Sequence, residues 1–316
     1  MENVKCNFCG SATYDSLGIF RDITFEIPGE FPYVQCRQCN LIYLQLRPTP
    51  EEIQRYYPSE YQPYKQAIQD ERLPWMRWAR WRNINRFCQI VQESTNLKTG
   101  RILDVGCSTG IFLDAMRYQG WETTGVETSE NAVQYARQRF NLDVFHGQLH
   151  ELQSRPGCFD VITLWNVIEH LYQPLETFVE AFRLLKHDGV LLLVYPSWES
   201  IDRRLFGSSW VGFDAPRHLY VFPRSVMIKM LAAAGYEIIQ LMPAPNNYFA
   251  FIASLDRWLR THVKPTFLRG GIMKLVSFPG MRYLFQPFIA LADRSGNGAT
   301  TLVIARKNQE VLSGKE

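Results

Sequence analysis

From residue 101 onward, short apolar runs alternate with amphipathic stretches. Residues 101–105, 123–126, 143–146, 159–164 and 190–194 read as strands. Between them the spacing predicts helices over about 111–119, 129–140 and 174–185, with Ser129 placed as an N-cap. Strands that are apolar throughout are buried on both faces, which fits a parallel sheet covered by helices. Residues 236–241 and 299–305 read as two closing strands. About 55 residues separate them, too many for a structureless loop in a compact domain. That insert carries helical apolar segments near 248–260 and 281–292.

Upstream the pattern is different. Two cysteine pairs, Cys6 with Cys9 and Cys36 with Cys39, each enclose two residues. A two-residue spacer lets one tight turn present two thiolates, and four thiolates suit a tetrahedral zinc ion. Gly10 and Asn40 follow the pairs as turn-formers. A small lobe has little core, so zinc would hold it folded. Cys88, Cys107 and Cys158 lack such spacing and read as core or loop residues. A strand over 41–44 and a short helix near Pro50 follow, with Thr49 and Glu52 spaced as a capping box. Next come Tyr56, Tyr57, Tyr61 and Tyr64, then a helix over 74–92. Its Trp75, Trp78 and Trp81 lie close to one face, as a packing surface or a lid.

The candidate chemistry sits where the first strand turns into the first helix. Gly106 and Gly110 let the backbone approach a ligand and leave helix amides free. Glu127 ends the second strand, where a carboxylate can accept both hydroxyls of a ribose. A dinucleotide fingerprint needs a glycine at position 108, but Ser108 stands there, which argues against NAD. A net charge of +3 is too small to point to nucleic acid. Residues 1–10 hold no apolar signal core, and no apolar run reaches a membrane span of about 18 residues. A cytoplasmic, reducing setting follows, in which cysteines serve metals or cores.

Four ordered motifs then carry a resemblance: residues 103–110 (LDVGCSTG), Gly125-Val-Glu127, residues 159–171 (FDVITLWNVIEHL) and residues 184–190 (LLKHDGV). They resemble the class I S-adenosylmethionine-dependent methyltransferases. The two cysteine pairs, with Arg47-Pro-Thr-Pro50 and residues 56–61, resemble a subset of sugar, natural-product and glycan-cluster enzymes. The resemblance implies a Rossmann-like doubly wound α/β sheet, mostly parallel with an antiparallel last strand, plus an N-terminal zinc ribbon. It implies S-adenosylmethionine as cofactor, with Asp104, Gly106, Cys107, Gly110, Glu127, Thr128, Gln148, Leu149 and Asn166 around it. His170, in the Glu-His-Leu signature, would be structural. The expected layout is a zinc lobe over 1–48, a helical linker or lid over 49–98 and a methyltransferase domain over 99–310. An acceptor segment over 195–224 and a helical insert over 246–298 belong to that domain.

In the sugar C-methyltransferases a Tyr-x-Glu-His motif supplies acid and base. Here Ala215 and Arg217 replace its tyrosine and glutamate, and His218 alone matches. That favours O-methylation with His218 as general base, with Asp214 or Arg217 binding the acceptor. C-methylation of a keto-sugar stays open, as do a non-enzymatic cofactor-binding regulator and a methyltransferase acting on RNA or protein. The expected partner is a small-molecule or glycan acceptor, which could be lipid-linked; no nucleic acid is expected. Arg257, Arg260, Lys264, Arg269, Lys274 and Arg282 interleave with aromatic residues across 257–285. Such a stretch suits a substrate cover, an oligomer contact or peripheral docking at the inner face of a membrane.

Overall fold

A computed structural model of the protein describes residues 1–58, 74–245, 247–278 and 280–308. Seven strands form the central sheet: β1 Arg101–Val105, β2 Glu122–Glu127, β3 Asp143–His146, β4 Phe159–Trp165, β5 Leu185–Pro196, β6 Tyr236–Pro243 and β7 Thr300–Lys307. Their order is β6-β7-β5-β4-β1-β2-β3. The first five strands pair parallel, and β7 runs antiparallel between β5 and β6. This is the expected doubly wound sheet with its antiparallel pair at one edge. Five consecutive residues of β5, Val190–Val194, are buried, and each apolar side chain so covered is worth about 1.5–3 kcal/mol.

Helices cover both faces: α1 Pro74–Thr95, α2 Ile111–Tyr118, α3 Glu130–Phe140, α4 Pro174–Leu184, α5 Ile201–Phe206 and α6 Arg224–Ala233. Ser129 caps α3 by accepting the amide of Ala132. The tryptophan face of α1 is not one face. Trp81 packs on the core, but Trp78 is 60% exposed beside Arg82. The buried stripe is instead Cys88, Ile90 and Val91, whose larger apolar count decides the helix rotation. Tyr61 and Tyr64 lie outside the described residues, as does the side chain of Trp75.

The N-terminal lobe is a four-stranded sheet whose order is Tyr220–Val221, Ile42–Leu44, Phe31–Cys36, Tyr14–Phe20. Its edge strand, Tyr220–Val221, comes from the acceptor segment and pairs with Ile42 and Tyr43. The Thr49–Glu52 capping box forms: the Glu52 carboxylate accepts the Thr49 amide and Thr49 Oγ1 accepts the Glu52 amide. The insert folds as three helices, α7 Asn247–His262, α8 Thr266–Val276 and α9 Met281–Arg294.

Lobe, acceptor loop and insert meet at a buried set of charges. Arg217, with no exposed side-chain surface, donates twice to Asp22, twice to Asp214 and once to the carbonyl of Tyr56. All five guanidinium donors are therefore used. Arg257 of α7 donates to Asp214, Thr24 and the carbonyls of Ser209 and Phe213. Two expectations are corrected here. Arg217 is not a fork offered to an acceptor, and Arg257 is not a surface cation. Removing one partner of such a network leaves a buried charge uncompensated, at a cost of about 3–5 kcal/mol. Asp22→Ala should lower the urea unfolding free energy by that amount. Arg21→Ala, which breaks only the exposed pair with Glu30, should leave it nearly unchanged.

Candidate active site

A cavity of about 840 Å³ opens at the carboxyl ends of β1, β2, β4 and β5, the place where doubly wound sheets bind ligands. One pole is made by the strand-end turns. Gly106 has φ +72°, and a Cβ there would lie 2.6 Å from the side chain of Val167, so the loop closes only without a side chain. Glu127 lines the cavity while accepting the amides of Ser108 and Ser129 at 2.9 and 2.8 Å. Thr128 Oγ1 adds a long third contact at 3.5 Å; a carboxylate has about four lone-pair sites, so capacity remains for a ribose hydroxyl. Thr128, Gln148, Leu149 and Asn166 complete this pole with Trp165. Asn166 adopts φ +55° just past β4. These residues fit a nucleoside-bearing cofactor.

Three expected cofactor residues stand elsewhere. Asp104 is buried under the loop and accepts a hydrogen bond from Thr163 Oγ1 at 2.6 Å. Burial, opposed by Thr163 and assisted by Glu127, pushes its carboxyl up to about 7. The Cys107 thiol points away from the cavity into the core, toward Gly125 and Leu113. Gly110 starts α2 at φ +77°, and a Cβ there would meet Leu142 at 2.5 Å. Its role is helix packing. Strand alternation turns Asp104 inward, and packing at Gly125 and against Leu142 does the same for Cys107 and Gly110.

The second pole is lined by Tyr57, Glu169, His170, Asp214 and His218. His218 Nδ1 lies 3.0 Å from the Gly212 carbonyl oxygen. A carbonyl only accepts, so Nδ1 carries the proton and Nε2 keeps its lone pair. Burial lowers the His218 pKa, against the pull of Asp214. His170 Nδ1 contacts the Arg217 carbonyl at 2.9 Å and the Tyr57 hydroxyl at 3.1 Å. Burial, then His218, brings His170 down to about 3. The two rings meet edge to face at 4.6 Å. Glu169 is 1% exposed, and neither carboxyl oxygen has a hydrogen-bond partner among the described residues. Burial pushes its carboxyl up to about 8.

Asp214 behaves oppositely. Burial alone would raise it, but Arg217 and Arg257 outweigh burial and hold it well below the usual carboxylate range. It is therefore an anion spent on two guanidiniums rather than an acceptor-binding group. Among the described residues, no lysine or arginine lines the cavity. Glu169 and His170 were legible only as a signature; the contact of His170 with the Arg217 carbonyl and the partnerless burial of Glu169 appear only in the fold.

At the far end of the lobe the four thiols converge. Cys6 and Cys39 sulfurs are 3.4 Å apart, and those of Cys9 and Cys36 are 3.5 Å apart. All four ligand atoms lie within 4.8 Å of one another, and none is in a disulfide. A tetrahedral zinc with bonds of about 2.3 Å needs sulfurs near this separation. The amides of Gly10 and Asn40 close the two turns onto Cys6 and Cys36 carbonyls.

Residues 74–241, more than half of the chain, match the methyltransferase-domain family. The chain belongs to that family. A ubiquinone biosynthesis O-methyltransferase of Actinobacillus pleuropneumoniae is 32% identical over 149 residues, covering 44% of this chain and 62% of the relative. One of Aromatoleum aromaticum is 26% identical over 177 residues, covering 52% and 76%. Other curated relatives are matched over as little as 41% of their length. Among solved structures, the fold is shared with the cyclase SpnF, at TM-score 0.53 and 21% identity over 83% of this chain and 98% of that one. It is also shared with geranyl diphosphate C-methyltransferase of Streptomyces coelicolor A3(2), at TM-score 0.52 and 14% identity over 83% and 100%. At such identities the likeness concerns the fold alone.

Glu169 gives this site a pH signature. Its folded pKa of about 8 exceeds the unfolded value near 4.3. The folded state thus holds more protons between those values, and stability falls as pH rises through that window. Glu169→Gln removes the effect. Its stability relative to the parent should rise from pH 5 to pH 8, by at most about 1.4 kcal/mol per pH unit, in urea melts.

Proposed function

We propose that the protein transfers a methyl group from S-adenosylmethionine to a hydroxyl of a small, uncharged acceptor, with His218 as general base. The cofactor pole fits the nucleoside part, with Glu127 toward the ribose hydroxyls, Gln148 and Leu149 beside the adenine, and Gly106 and Asn166 toward the methionine end. When bound, the cofactor supplies an electrophilic methyl with a good leaving group. The chain must then orient the acceptor and remove one proton.

The observation that carries this reading is the state of His218. Its Nδ1–H is spent on Gly212 and its lowered pKa keeps the ring neutral. The acceptor hydroxyl would pass its proton to Nε2. Glu169, protonated near neutral pH, would donate a hydrogen bond to a second acceptor oxygen. The lack of a lining cation among the described residues supports an uncharged acceptor over a carboxylate or phosphate. Tyr57 and Asp214 close the pole without contributing net positive charge.

Turnover is measured as S-adenosylhomocysteine release across a panel of phenols, catechols and sugars, with product position read by NMR. His218→Ala should lower turnover by about 100-fold or more, with cofactor affinity by calorimetry within threefold. The parent's kcat/KM should hold through pH 7 and fall on an acidic limb below the ordinary histidine value near 6.5. Near-normal turnover of His218→Ala would remove His218 as the base, and C-methylated product would replace the oxygen acceptor.

Cys6, Cys9, Cys36 and Cys39 would hold a structural zinc, since all four positions are filled by protein and none is left for substrate. Metal analysis should find one zinc per chain. Cys39→Ser should lose it and lower the unfolding midpoint, while Cys88→Ser, in the core away from the cluster, should keep it.

A further inference from the structure

The three-helix insert carries surface that the proposed chemistry does not use. Of the twenty large apolar side chains left exposed among the described residues, ten fall between Phe249 and Leu291, nine of them outside the cavity lining. Phe267 is 76% exposed, Tyr283 73%, Leu284 69% and Phe278 66%. Helix α8 is the extreme case: of its eleven residues only Val276 is buried. A helix that short is marginal alone in water, and α8 packs against α7 and α9. Apolar exposure on this scale exceeds what scattered surface residues account for and marks a contact face.

The charge on the same segment is one-sided. Residues 247–294 hold seven arginines and lysines against two aspartates, more net positive charge than the +3 of the whole chain. From 257 to 292 there is no acidic residue. Arg257 is buried on Asp214, and Arg260 pairs with Asp256. Lys264, Arg269 and Lys274 lie interleaved with the apolar side chains. No helix among the described residues is long and apolar enough to cross a membrane.

We propose that α7–α9 form an interfacial platform that docks the protein on the surface of an anionic lipid bilayer. Aromatic and aliphatic side chains of α8 and the α8–α9 turn enter the headgroup boundary, and the surrounding cations meet anionic headgroups. A protein partner or a second copy would cover the apolar face but would not by itself require an acid-free segment of this length. Phe249 and Ala250 of α7 also line the cavity, so platform and cavity share one helix.

The test is flotation of the full chain with vesicles of phosphatidylcholine alone and of phosphatidylcholine with 30% phosphatidylglycerol. The protein should float with the anionic vesicles, at least tenfold more than with neutral ones, and the difference should shrink in about 0.5 M salt. Phe267→Ser/Leu275→Ser/Phe278→Ser should lose flotation while keeping the parent's circular dichroism and melting curve, because all three side chains are solvent-facing. Arg269→Gln/Lys274→Gln should weaken binding to anionic vesicles and leave neutral ones unchanged. Protein that stays unbound with anionic vesicles would overturn the proposal. So would a dimer in sedimentation equilibrium that the triple variant dissolves, with no flotation of the parent.

Discussion

The structure turns on the buried contact of Asp22, Arg217, Asp214 and Arg257. Two carboxylates and two guanidiniums meet with almost no solvent, and their charges balance. They come from the lobe, the acceptor loop and the insert, and join all three at one place. Burying four charges brings little net stability, but each partner makes the others affordable. The value of the set is positional. Apolar packing tolerates small slides, whereas a five-donor guanidinium with every donor engaged accepts one arrangement. That arrangement places the loop carrying His218, whose amide is held by Asp214 and whose carbonyl is held by Tyr33.

The same joint explains why a lobe with a metal-type cysteine cluster matters to a cavity that no cysteine of the cluster lines. Cys36 ends one strand of the lobe sheet, and Ile42–Leu44 follows after the second turn. Tyr220–Val221 pairs directly on Ile42–Leu44, two residues beyond His218. Arg47 adds a second tie, donating to Tyr220 and to Glu2. Whatever orders the four thiols therefore orders the strand that fixes His218. The lobe acts through the backbone of the acceptor loop, not through a ligand.

Local features were legible in the sequence because their causes are local. The sheet followed from apolar runs, the α3 cap from Ser129, the lobe turns from Gly10 and Asn40, and the strand-end lining of the cavity from Gly106 and Glu127. Failures share one cause, which is partners far away along the chain. Arg217 looked like a free anion receptor because Asp22 lies 195 residues upstream. Arg257 looked like part of a basic surface because Asp214 lies 43 residues away. Cys107 and Gly110 were placed on the ligand side by motif position, although packing at Gly125 and against Leu142 turns them inward. Glu169 gave no chemical signal of its own; a carboxyl becomes notable only when the fold buries it without a partner.

The electrostatics of the acceptor pole follow from this arrangement. An unpaired Asp214 beside His218 would favour the imidazolium and remove the lone pair a base requires. Arg217 and Arg257 counter that field, each pushing the His218 proton off. Burial is the largest influence and works in the same direction as the two arginines, so the His218 pKa is lowered and the ring stays neutral. The same burial, with no cation at hand, keeps Glu169 protonated next to it. A neutral acceptor lone pair and a neutral acid donor thus stand side by side, held by charges placed one layer behind them. On the proposed reading, the ionic joint thus bears on the charge of the molecule the cavity receives, as well as on the position of the loop.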